Sequence, residues 1–113
     1  MLIYKICDGG AWAQAEREGT FHGAAIDLAD GYIHFSTAAQ VPETAAKHFT
    51  SQHGLVLAAI DAQALGDKLK WEPARGGALF PHLYGSLPMS AVRWAKPLPL
   101  GADGRHVLPE LNE

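Results

Sequence analysis

Residues 2–7 are rich in branched and aromatic side chains, and Asp8-Gly9-Gly10 comes next as a turn signal, so the chain opens on a strand. From Ala11 the composition changes to helix formers that place Trp12 and Ala15 on one face, with Gly19 as a left-handed stop. Residues 21–29 show no single period and read as a loop, closed by a tight turn at Asp30-Gly31. Residues 32–36 alternate, so Tyr32, His34 and Ser36 share one strand face while Ile33 and Phe35 share the other. Ser36 or Thr37 can cap a helical segment, and Pro42-Glu43 opens the main helix, which runs to Phe49.

The fully apolar run 55–60 is too short for a typical helix and predicts a central strand buried on both faces. Residues 61–67 read as a turn or brief helical excursion, and 68–72 as a strand ending at Pro73. Gly76-Gly77 separates that strand from residues 79–85, where Phe80, His82 and Tyr84 fall on a common side if the backbone is extended. Residues 91–98 predict a strand whose Pro97 and Pro99 suit a sheet edge; Ala102-Asp103-Gly104 turns the chain back into 105–108, and the last residues fray. Strands outnumber helices without βαβ alternation, which predicts an α+β fold with the two early helices on one side. With no repeat or linker, residues 1–113 form a single domain.

Composition narrows the function classes. The chain has 9 basic and 12 acidic residues, a net charge of −3, so it lacks the broad positive field of a nucleic-acid binder. One Arg75-Gly76-Gly77 triplet does not change that. Cys7, the single cysteine, cannot form an internal disulfide and reads as a buried core thiol. The opening residues do not resemble a secretory leader, and no apolar run approaches the roughly 20 residues of a membrane helix. A cytoplasmic protein without membrane contact is expected. The six histidines show no metal-ligand spacing, so no metal site is expected. A nucleophile elbow, a phosphate loop and a dinucleotide fingerprint are all absent from the sequence. A triad of Ser36, His82 and Asp27 or Asp30 depends on geometry alone.

Two segments set an imidazole among hydroxyls and aromatics: His34 with Ser36 and Thr37, and His82 with Phe80 and Tyr84. Imidazole donates and accepts, hydroxyls fix polar oxygens and aromatic faces stack on planar rings, a combination suited to a ligand pocket. The simpler alternative is a polar sheet face open to water. Glu72 could act as a base or support a developing positive charge, and Arg75 could hold a carboxylate or phosphate. Their simpler roles are a solvated strand-end charge and its partner.

The stretches Asp30-Gly31-Tyr32-Ile33-His34-Phe35-Ser36-Thr37-Ala38, Trp71-Glu72 and Phe80-Pro81-His82-Leu83-Tyr84-Gly85 resemble a family of small uncharacterised bacterial proteins. The resemblance implies an ADP-ribosyltransferase-like fold, a split, mainly antiparallel sheet with two or three short helices. Its cleft would take the nicotinamide end of NAD. It also implies that Tyr4 and Lys5 occupy the place of a basic first-strand residue, and that Phe35-Ser36-Thr37 resembles the strand motif bracing the ribose. Glu72 and His34 are then the catalytic candidates. His34, Ser36, Thr37, Arg75, Phe80, His82 and Tyr84 are the ligand-binding ones, with NAD the implied cofactor. Three functions remain open: a non-catalytic module binding a nucleotide or other metabolite, an NAD-dependent transferase or glycohydrolase, and a partner-binding protein using Trp71 and Trp94.

Overall fold

A computed structural model describes residues 1–113, apart from the side chain of Arg75, which lies outside the described residues. The fold is α+β with antiparallel strand pairing throughout the three sheets. Strand β1 (Leu2–Asp8) leads through Asp8, whose carboxylate accepts the Ala11 N–H at 3.0 Å, into helix α1 (Gly9–Glu18). Gly19, at φ 84°, ends that helix in the left-handed conformation its sequence predicts. Next come β2 (Thr20–Phe21), α2 (Ala25–Asp30), β3 (Ile33–His34) and α3 (Val41–His48). The second half carries β4 (Leu55–Asp61), a 3-10 turn (Ala62–Lys68), β5 (Leu69–Pro73) and β6 (Leu79–Leu83). The pair-forming β7 (Leu87–Pro88) and the edge strand β8 (Val92–Leu98) complete the set.

One sheet has the order β1-β4-β8, a second β3-β6-β5, and β2 pairs with β7. The apolar run does form the middle strand of its sheet, as expected. Alternation along β1 and β4 divides the core in two. Ile3, Cys7, Ala58 and Ile60 face Trp12 and Ala15 of α1 together with Ile33, Phe35 and Leu83. Tyr4, Ile6, Leu57 and Ala59 face Val41 and Ala45 of α3. Helices α1 and α3 therefore pack on opposite faces of the first sheet, a correction to the expectation of one shared side. An apolar strand buried on both faces needs a cover on each, and these helices supply the two covers.

Other expectations are corrected locally. The expected loop 21–29 contains the end of β2 and all of α2 but its last residue, and Asp30-Gly31 ends that helix, Gly31 adopting φ 85°. The expected strand 32–36 is regular only at Ile33–His34: the Phe35 N–H still donates to the Pro81 carbonyl of β6 at 3.0 Å, and Ser36 then bridges β1. Helix α1 is longer than the segment read as the main helix. Residues 105–108 return only as a Leu100–His106 bridge. The C-terminus does not simply fray: Leu108 and Leu111 pack on the α3-side core, and the Asn112 carbonyl accepts the Tyr4 hydroxyl at 2.5 Å. Trp71 and Trp94 sit on β5 and β8, the outer strands of different sheets, so they do not form one aromatic face.

Candidate functional site

The two sheets meet at a single bridge. Tyr4 N–H donates to the Ser36 carbonyl at 2.8 Å and Ser36 N–H returns the bond to Tyr4 at 2.9 Å. Antiparallel geometry would put the next such pair at Ile6 and His34. There the ladder stops: the His34 N–H donates instead to Asp27 Oδ1 at 3.1 Å. The same carboxylate takes Lys5 Nζ at 2.9 Å, the Ala24 N–H at 2.7 Å and His34 Nδ1 at 2.7 Å. Asp27, delivered by α2, thus occupies the fork where β1 and β3 separate.

A cleft of about 390 Å³ opens at that fork. Its walls are largely apolar, with Ile6, Phe35, Phe49 and Phe80 among them, and its polar lining includes Ser36, Thr44, His34 and His82. The β3–β6 register pairs His34 directly with His82, and Ile33 with Leu83. Alternation then turns Ile33 and Leu83 into the core while Phe80 and the two imidazoles line the cleft, and Phe35 belongs to both the core and the cleft wall. The His34 and His82 rings lie 5.5 Å apart, edge to face. Tyr32 covers their outer end, 4.7 Å from His34, 4.2 Å from His82 and 5.2 Å from Tyr84. Two segments far apart in sequence therefore present one continuous face.

The imidazoles differ in what holds them. His34 is bonded at both nitrogens, Nδ1 to Asp27 and Nε2 to Asp30 at 2.9 Å. His82, only 4% exposed, donates Nδ1–H to Glu72 Oε1 at 2.8 Å, and Tyr84 O–H donates to the same oxygen at 2.7 Å. Hydrogen bonds from Tyr84 and His82 hold the Glu72 carboxyl below its ordinary range. In return, Glu72 pushes the Tyr84 phenol up to about 12. Burial drives Lys5 down, partly offset by Asp27. Burial also works against an ionised Asp27, but the His34 bond, the Lys5 charge and the Ala24 N–H outweigh it and hold the carboxyl at about 2.

The remaining candidates separate by position. Ser36 is buried and shares a 2.9 Å hydroxyl bond with Thr44 on α3. Thr37 serves the turn before α3: its N–H donates to Gln40 Oε1 at 3.0 Å and its hydroxyl accepts Gln40 N–H at 3.3 Å. Glu72 and Tyr84 stand beside the cleft and meet it through His82. Arg75, as a side chain, lies outside the described residues. Ser36, His82 and an aspartate form no triad, since His82 Nδ1 takes Glu72 and Asp27 takes Lys5 and His34. Burial pushes the Cys7 thiol up to about 11, in keeping with an inert core position. Among the described residues no three His, Cys, Asp or Glu side chains come together to hold a metal. No helix is long and apolar enough to cross a membrane.

Sequence reasoning missed Asp27 as an organiser of the site. The available signal was Lys5, a cation inside the otherwise apolar run 2–7, which burial allows only with a buried counter-charge.

The chain is similar to the crystal structure of protein CC0527 from Caulobacter crescentus, with 51% identity over 95% of this chain and 94% of that one and a TM-score of 0.91. It is also similar to the solution NMR structure of CC0527, with 53% identity over 92% and 90% of the two chains and a TM-score of 0.83. No curated protein matches it. A family model described as a protein of unknown function, DUF952, matches residues 6–95, a span that includes Asp27, the paired His34 and His82, and Glu72.

Proposed function

The chain belongs to the DUF952 family, and from that premise we propose that it is a binding module whose cleft takes a planar small molecule, such as the ring of a nucleotide. The observation that carries this reading is the pairing of His34 with His82 at the fork, rings 5.5 Å apart, on the wall of a cleft of about 390 Å³. That volume falls within the range of small-molecule sites. Apolar walls with a few convergent polar groups suit a flat ring carrying a small polar substituent. Lys5, the cation among the described lining residues, is committed to Asp27, so the fork favours an uncharged end of the ligand over a phosphate.

The resemblance to ADP-ribosyltransferase-like folds makes NAD the first ligand to test. An NAD-dependent transferase or glycohydrolase is the second reading, favoured by one observation: Glu72 is held ionised, the state that stabilises a developing positive charge. Thermal unfolding with NAD, ADP-ribose and nicotinamide tests the module. At about a hundredfold excess over Kd, a ligand restricted to the folded state adds roughly 2.7 kcal/mol. A rise in melting temperature that disappears in Phe80→Ala and His82→Ala is expected. No rise with any of the three at millimolar concentration contradicts it. Nicotinamide release from NAD, abolished by Glu72→Gln, would replace the module with the enzyme.

A further inference from the structure

His82 is about nineteen-twentieths buried and lines the cleft, with Nδ1 committed to Glu72. Among the described residues no protein group bonds its other nitrogen, Nε2. A ring that donates Nδ1–H to a carboxylate is fixed, when neutral, in the tautomer whose Nε2 carries a lone pair. Tyr84 anchors the Glu72 carboxylate by donating to the same oxygen. His34, across the register pair, has no comparable nitrogen, because Asp27 and Asp30 take both. Of the two register-paired imidazoles, one is therefore spent on structure and one keeps an open acceptor.

We propose that Glu72 is a positioning residue that fixes His82 as a hydrogen-bond acceptor, so that the cleft selects planar ligands bearing an O–H or N–H donor. The inference rests on the planar-ligand reading and deepens it by naming the ligand group that His82 recognises. Glu72 acts through His82 and touches no ligand in this role.

Nitrogen-15 NMR of histidine-labelled protein reads the tautomer without any ligand. For the neutral ring, the expected result is a His82 protonated at Nδ1 and bare at Nε2. That state should be kept in Glu72→Gln, which retains an acceptor oxygen, and lost in Glu72→Ala, with an unchanged amide spectrum elsewhere showing that the fold persists. A His82 ring protonated at Nε2 in the wild type, or one indifferent to Glu72→Ala, overturns the proposal. Nicotinamide and N,N-dimethylnicotinamide, which differ in donor capacity, serve as matched probes. The wild type should prefer the donor-bearing probe about tenfold, the scale of one hydrogen bond, and Glu72→Ala should erase the preference. Equal affinity for both probes also overturns it. If neither probe binds, the planar-ligand reading fails, while the tautomer measurement still decides the role of Glu72.

Discussion

Asp27 concentrates more of the molecule's polar bonding than any other side chain at the fork. Replacing it with alanine leaves the Lys5 ammonium 5% exposed without a counter-charge and frees the His34 N–H. Removing one partner of a buried pair typically costs about 3–5 kcal/mol, so Asp27→Ala should show a loss of that order in urea unfolding. The double variant Lys5→Met/Asp27→Ala should recover a large part of it, because no buried charge then remains unpaired. Recovery close to zero would mean that the His34 and Ala24 bonds, and not the ion pair, give Asp27 its weight. The carboxyl sits at about 2 against an ordinary 3.8, so its contribution is complete above pH 4 and disappears as pH falls through 2. About 2 kcal/mol of stability should go in that window, and Asp27→Asn should flatten the acid limb of the stability curve. The residue scale is also where sequence reading was uneven. Alternation grouped His34 with Tyr32 and Ser36, and Phe80 with His82 and Tyr84, because a strand has a fixed period. Asp27 was hidden because its importance comes from three elements converging on it.

Among the elements, α2 is the one that local sequence does not announce. It spans only Ala25–Asp30 and has no side-chain cap. Ile26 and Leu28 are both well exposed, so no apolar stripe marks it. Its stop is legible in retrospect, since Gly31 takes φ 85° and donates its N–H to the Asp27 carbonyl at 2.9 Å. Gly31→Ala should cost about 1 kcal/mol, a left-handed conformation being unfavourable for a residue with a Cβ. Because α2 carries Asp27 and the chain leads directly into His34, the variant should also broaden the His34 signals in NMR. A neutral result would separate the helix stop from the geometry of the site. Strands β1, β4 and β8 were readable because each is long enough to display its pattern. The β2–β7 pair and the Ser36 bridge were not, as such short pairings carry no period, and β3 was legible only as part of the longer expected strand 32–36.

Across the whole molecule, the C-terminal segment closes the side of the first sheet that carries α3. Tyr4 and Phe49 line the cleft, and both are tied to that segment, Tyr4 through its hydroxyl to Asn112 and Phe49 through its carbonyl, which accepts His106 Nε2–H at 2.7 Å. Deleting residues 106–113 should lower the melting temperature by several degrees and expose Tyr4 fluorescence to quenching, because Leu108 and Leu111 leave the core with them. An unchanged melting temperature would show that α3 alone seals this face. Composition and pattern made the α+β class legible. Which face each helix covers was not, since β1 and β4 are apolar on both sides and the sequence offers no reason to prefer either. Every role proposed for the site requires a small molecule to bind in the cleft at the fork. The direct measurement is a titration of isotope-labelled protein with NAD and nicotinamide, monitored by chemical-shift changes. Saturable shifts centred on His34, Phe80 and His82 are predicted; an unperturbed spectrum at millimolar ligand, or shifts confined to another surface, would contradict it.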